Sequence, residues 1–414
     1  MIDTIGYACR LIARYWPLSL VVLALLALAY LWLSPAHMAP PGPLHTWSSI
    51  ALGALIVLTI MPAWRGAVHL SEVTREFTGP ARMQLDPIVH CSVELDGGIR
   101  VDISRPGIGP ASANTCAEAF SEPLSPELGP IRPAQPLRII LYAPGWGNAR
   151  AENADFRAAL ASAGYIVVSI DDIAKDAPYA NAEDERIRTS TIDLSSAEAV
   201  AQTRANTDRR VALEAQKAIA ALDALQACIP ARWRERIDFN RVGFLGFSFG
   251  GATAAQAATM DPRFRAIVNL DGSRFGQAAA QPPAAPYLTL LADFELPSAR
   301  RDASSRRHEF AFAREMALLE AERAAAHDDT YAFLVRGALH EAFTDEYGDQ
   351  SNARKWLMLS PGRARAIRLY YTLHFFNRYL HDARTSLLDR ASPPYAEVIT
   401  SNEIASAVRN ATAP

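Results

Sequence analysis

From about residue 85 onward, short runs of β-branched and aromatic residues alternate with longer alanine-rich stretches of helical period. That alternation is the pattern of a mostly parallel sheet covered by helices on both faces. Strands are predicted at 88–95, 99–103, 137–142, 165–170, 241–246, 266–270, 287–291 and 331–335, which makes an eight-stranded sheet. Helices are predicted at 151–163, 208–227, 251–260, 311–326 and 363–380. Residues 104–136 carry prolines and glycines at irregular intervals and read as a loop.

The first eighty or so residues follow a different rule. Segments 16–33 and 47–64 are apolar and free of charge. At ~1.5 Å per residue each is long enough to cross most of a ~30 Å hydrocarbon layer as a helix. Tyr15, Trp16, Tyr30, Trp32, Trp47 and Trp64 stand at their ends, where amphipathic rings meet a water interface. The expectation is a two-helix transmembrane hairpin over 1–82, joined by a short proline-rich turn, and a catalytic domain over 83–414. Arg10, Arg14, Arg65, Arg75 and Arg82 flank the hairpin while its turn has no Lys or Arg. The positive-inside bias then makes the chain integral to the cell (inner) membrane with the catalytic domain in the cytoplasm.

Composition removes several classes of function. The chain has 414 residues, of which 50% are hydrophobic and 21% charged, enough to bury a large core. A formal charge of −3 and the lack of any basic block leave no footprint for a nucleic-acid partner. Cys9, Cys91, Cys116 and Cys228 show no CxxC or Cys/His spacing, so neither a structural metal nor a disulfide scaffold is expected. Cys91 and Cys116 read as two reduced, partly buried thiols, with a bridge between them only in an oxidising compartment.

The chemistry concentrates downstream of the predicted strand 241–246. Gly246-Phe247-Ser248-Phe249-Gly250 follows that strand and opens a helix, the setting of a GxSxG nucleophile elbow. Glycines on either side of Ser248 remove Cβ atoms where strand and helix come together. A serine hydroxyl needs a general base, so a histidine on a later loop is required. His37, His45, His69 and His90 come too early, His308 and His327 sit in charged helical stretches, and His374 and His381 belong to the last long helix. His340, just beyond strand 331–335, remains, and the chain order serine, acid, histidine favours it. Asp271 and Asp293 both end strands between the two, and either can serve as the acid; the alternative for each is capping a turn. Tyr142-Ala143-Pro144-Gly145-Trp146-Gly147 closes the third strand, which makes the Trp146 and Phe249 backbone N–H groups the candidate oxyanion donors.

Four segments together resemble a known family. YAPGWG from Tyr142, ASAGYIVVSIDD from Ala161, RVGFLGFSFGGATAAQAATMDPRFRAIVNLDG from Arg241 and GALHEAFTDE from Gly337 are similar, in this order, to the platelet-activating-factor acetylhydrolase and dienelactone-hydrolase-like branch of the α/β-hydrolases. The resemblance implies an α/β-hydrolase fold and a triad of Ser248, Asp271 and His340, since the acid of these acetylhydrolases sits in the LDG-like turn. It also implies no cofactor. Phe247 and Pro144 stand where the family usually has histidine, which leaves substrate preference open. Residues 172–205 lie outside the match and form a candidate lid.

The expected activity is that of a membrane-anchored serine carboxylic-ester hydrolase. Its expected substrates are small-molecule or lipid esters, in particular short-chain or oxidised acyl esters of phospholipids. A serine peptidase or thioesterase with the same triad is the rival within enzymes. A non-catalytic membrane scaffold or sensor is the rival outside them.

Overall fold

The computed structural model of the chain describes residues 87–107, 113–121, 136–293, 307–348, 359–383, 388, 395 and 397–412. Ile88–Leu95 (β1) alternates buried and exposed side chains, as a strand covered on one face must, and pairs antiparallel with Ile99–Pro106 (β2). Cys116–Ala119 (α1) is a single turn with a reciprocal Thr115–Glu118 cap. The next two strands, Ile139–Ala143 (β3) and Ile166–Ile170 (β4), are buried at every position and flank Ala154–Ser162 (α2). Continuous burial is what parallel strands under helices on both faces require. A short 3-10 turn at Ile173–Lys175 and Ala182–Arg188 (α3) lead into the long helix Ala197–Cys228 (α4) and the short Ala231–Arg234 (α5).

The second half repeats the strand and helix alternation. Val242–Phe247 (β5) and Phe249–Met260 (α6) meet at Ser248, followed by Phe264–Leu270 (β6), Gln277–Ala280 (α7) and Tyr287–Leu291 (β7). Arg307–Ala326 (α8), Thr330–Val335 (β8), Pro361–His381 (α9), Val398–Thr400 (β9) and Ser401–Thr412 (α10) complete the unit, which spans Leu85–Pro414. Among the described residues the strands form one nine-stranded sheet in the order β1-β2-β4-β3-β5-β6-β7-β8-β9. From β4 to β8 the neighbours are parallel, while β1, β2 and β9 run antiparallel at the two edges. One apolar layer, with α4 and α6, covers one face; the other, with α2 and α9, covers the opposite face.

This mixed α/β sheet fits the α/β-hydrolase fold, and three expectations need correction. Among the described residues the sheet has nine strands rather than eight, the ninth being the short β9 at Val398–Thr400. Three residues are too few for an alternating pattern to register, and β9 is placed by pairing with β8 through Phe333 opposite Thr400.

The second correction concerns the transmembrane hairpin and the integral inner-membrane location. The predicted spans at 16–33 and 47–64 lie outside the described residues. Among the described residues no helix is long and apolar enough to cross a membrane. The described residues form an α/β sheet unit without a membrane-spanning helix.

The third correction concerns cysteine. Cys116 is bridged to Cys228, with Cα atoms 5.9 Å apart, and Cys91 is the free thiol among the described residues. Cys91 lies buried on β1, facing the Ile103 carbonyl, and burial pushes its thiol up to about 11. Cys116 instead opens α1 beside the last residue of α4, an approach between positions far apart in sequence that no spacing rule reveals. Such bridges persist in oxidising compartments, which runs against the expected cytoplasmic placement of this domain.

Candidate active site

The site begins at the end of β5. Ser248 takes φ 53° and ψ −119°, a conformation that L side chains rarely adopt. The chain tolerates it because Ser248 N–H donates to the Leu270 carbonyl at 2.8 Å and the Ser248 carbonyl accepts from Gly251 N–H at 3.0 Å. Gly246 and Gly250 make the sharp turn sterically feasible. A Cβ on Gly246 would stand 2.0 Å from the Gly250 carbonyl carbon, and one on Gly250 would stand 2.0 Å from the Ala143 carbonyl oxygen at the end of β3. The serine is thus held at the carboxyl edge of the sheet, beside the turn that closes β3.

The candidate acid Asp271 comes from the adjacent strand. Asp271 follows β6 with φ 57°, its N–H on the Leu290 carbonyl. The buried Asn269 amide ties this turn down, accepting from Gly272 N–H at 2.8 Å and donating to the Gly272 carbonyl at 2.7 Å. One Asp271 carboxylate oxygen accepts from Ala292 N–H at 2.7 Å, and the other faces His340 Nδ1 at 2.6 Å. An ionised carboxylate can only accept, so Nδ1 carries the proton and Nε2 presents its lone pair. That Nε2 lies 3.0 Å from Ser248 Oγ.

His340 opens a 3-10 turn, His340–Phe343, after the left-handed Gly337. The Phe247 ring packs on the imidazole with centroids 4.7 Å apart, and 44% of the histidine side chain stays accessible. Burial lowers the imidazole pKa, but the hydrogen bond and charge of Asp271 outweigh it and leave the value above the usual 6.5. Glu341 and Glu152 add to that rise.

Of the two candidate acids, Asp271 is the one set against His340. The Asp293 carboxylate accepts from Gly337 N–H at 2.8 Å, and its own N–H donates to the Ala338 carbonyl at 2.9 Å. It pins the loop on which His340 rides. Trp146 and Phe249 are neighbours, their rings edge to face at 4.7 Å, and the pairing of Ala143 with Gly246 sets the Pro144 to Gly147 turn beside Ser248.

Several residues that hold this arrangement left no sequence signal. The buried Arg210 of α4 places its guanidinium 4.0 Å from the Trp146 ring centroid and pairs with Asp172. It also donates to the carbonyls of Ile187 and Arg188, tying the candidate lid segment to α4. A single arginine within a long polar helix gives no hint of this. The Glu152 carboxylate accepts from Tyr142 OH at 2.7 Å, from Gly145 N–H at 2.9 Å and from the Asn148 amide. Burial raises its pKa, and these three donors pull it back in part.

A sheet of this order carrying a serine, histidine and aspartate relay at its carboxyl edge defines an α/β-hydrolase. Residues 121–347 match the family of platelet-activating factor acetylhydrolase, isoform II. The chain belongs to that family and is a serine ester hydrolase. Among solved structures it is similar to a ferulic acid esterase from Streptomyces cinnamoneus, with 21% identity, 78% of this chain and 98% of that chain covered, and a TM-score of 0.49. No curated protein matches it.

Proposed function

We propose that the chain hydrolyses carboxylic esters by acyl transfer through Ser248, and that its substrates carry short or oxidatively truncated acyl groups, on phospholipids or similar lipophilic esters. The relay from Ser248 Oγ through His340 to Asp271, at 3.0 and 2.6 Å, is the observation that carries this reading. As Oγ attacks the ester carbonyl, Nε2 takes its proton and the carbonyl oxygen becomes an oxyanion. The Trp146 and Phe249 N–H groups stabilise that charge. Asp271 holds the imidazole in its tautomer and stabilises the imidazolium. Collapse of the adduct breaks the ester C–O bond, and the imidazolium protonates the departing alcohol. Water, deprotonated by the same Nε2, then releases the acid and restores the serine.

The substrate class draws support from the family, which is named for an acetylhydrolase of platelet-activating factor. Further support comes from the ring series Trp146, Phe249 and Phe275 beside Ser248, an apolar flank suited to a lipophilic ester. The test is hydrolysis of p-nitrophenyl esters from acetate to palmitate by wild type and Ser248→Ala, alongside phospholipids with acetyl, truncated or full-length acyl chains. The expected result is turnover that Ser248→Ala abolishes and that declines with acyl length. Equal turnover in Ser248→Ala overturns the mechanism, and a palmitate optimum overturns the substrate class. Amide and thioester analogues in the same assay separate the peptidase and thioesterase rivals.

A further inference from the structure

Two adjacent residues outside the relay touch both halves of the site. Glu152 receives Gly145 N–H, the amide immediately before that of Trp146, and the turn is further closed by Asn148 N–H on the Gly145 carbonyl. Asn153, buried and left-handed at φ 58°, reaches the opposite way. Its amide donates to the Phe343 carbonyl at 3.2 Å and accepts from Asp345 N–H at 2.9 Å, fixing the far end of the turn that begins with His340. The buried Arg368 guanidinium of α9 joins it there, donating to Asn153 Oδ1 at 3.0 Å and to Asp345 at 2.7 Å. The Tyr142 hydroxyl links the two arms by donating to Glu152 and accepting from Asn153 Nδ2 at 2.8 Å.

We infer that Glu152 is a positioning residue for ester hydrolysis: it engages the Gly145 amide so that the Trp146 N–H is free for the oxyanion, and through Tyr142 and Asn153 it fixes the oxyanion turn relative to His340. The inference rests on the acyl-transfer reading above. Three donors converge on this one carboxylate, and a β3 tyrosine hydroxyl spans the pair, so turn and histidine loop move as one unit. Loss of the carboxylate releases the turn and leaves the hydrogen bonds among Ser248, His340 and Asp271 in place, while removing one of the charges that raise the His340 pKa. Such a change weakens binding of the oxyanion more than binding of the ground-state ester.

The test compares wild type, Glu152→Gln, Glu152→Ala and Tyr142→Phe in the full chain, with p-nitrophenyl acetate as substrate and active sites counted by end-point fluorophosphonate labelling. Labelling and turnover in wild type, both absent in Ser248→Ala, first establish the underlying reading, so failure there is distinct from failure here. Glu152→Ala is expected to lower kcat per labelled site about 10- to 100-fold with KM within about twofold. Affinity for a trifluoromethyl ketone, which forms an oxyanion adduct with the serine, should fall in parallel. Glu152→Gln, whose amide oxygen still accepts from Gly145, should recover most of the loss. If Glu152→Ala does not fold, Tyr142→Phe carries the test with an expected loss of about 3- to 10-fold in kcat and in ketone affinity. Wild-type kcat per labelled site in the folded variants, or a loss of kcat with unchanged ketone affinity, overturns the inference.

Discussion

Removing the Cys116–Cys228 bridge with a Cys116→Ser/Cys228→Ser double substitution should destabilise the domain by an amount set by the length of chain it closes. The bridged residues are 112 apart in sequence. For a loop of that size the unfolded ensemble loses about 16 cal/mol/K of entropy on cross-linking, or about 4.8 kcal/mol at 25 °C. Measured bridges commonly deliver less than this limit, so the expected loss is about 2–5 kcal/mol. With a urea dependence of about 3 kcal/mol/M, the midpoint should fall by about 0.7–1.7 M. The assay is equilibrium urea unfolding followed by far-UV circular dichroism, for wild type with and without reductant and for the double variant without it. Thiol titration in denaturant should release two more thiols after reduction than before. A midpoint that moves by less than about 0.3 M, or an unchanged thiol count, would refute the reasoning.

Further predictions concern the site and its support. Asp271→Asn should lower kcat about 10³- to 10⁴-fold with little change in KM, because the imidazole loses the partner that fixes its tautomer. In wild type, kcat/KM should fall as pH drops through the His340 pKa, since the imidazolium cannot take the serine proton. That acidic limb lies above 6.5 because Asp271 raises the value, and it should move down in any active Asp271 variant, as a pH–rate profile will show. Gly250→Ala puts a methyl carbon 2.0 Å from the Ala143 carbonyl oxygen and should abolish activity, with a stability loss of about 3 kcal/mol or more in thermal unfolding. Glu320→Ala removes the partner of Arg274, whose side chain is 1% exposed and bonded to both carboxylate oxygens at 2.7 Å. The stranded guanidinium should cost about 3–5 kcal/mol in urea unfolding, and a loss under about 1 kcal/mol would count against a closed ion pair.

What the sequence made legible is what local pattern encodes. β1, β7 and α6 stand out because burial rhythm and glycine spacing are properties of consecutive residues. The Ser248 elbow is of the same kind, since strand, glycine, serine, glycine and helix follow one another without a gap. Asp271 and Asp293 looked alike as strand ends, and the family resemblance alone chose Asp271. What separates them is a contact 69 positions away, from Asp271 to His340, and sequence carries no direct record of it. Tyr142, Glu152, Asn153 and Arg210 were invisible for a related reason. Each acts through partners supplied by other elements, and as isolated residues a tyrosine in a strand or an arginine in a helix is ordinary.

Asn153, Ser248 and Asp271 are three of the four residues other than glycine with positive φ among those described. Each such backbone costs about 1 kcal/mol or more against a relaxed one. Strain of this kind can be relieved by glycine or asparagine, which tolerate positive φ. Under the proposed mechanism that route is closed at Ser248 and Asp271, because the side chain held in the unfavourable conformation is the one assigned to the chemistry. Robustness in this chain must be gained elsewhere, for example at Asp382, the fourth such residue, which caps α9 and takes no part in the relay.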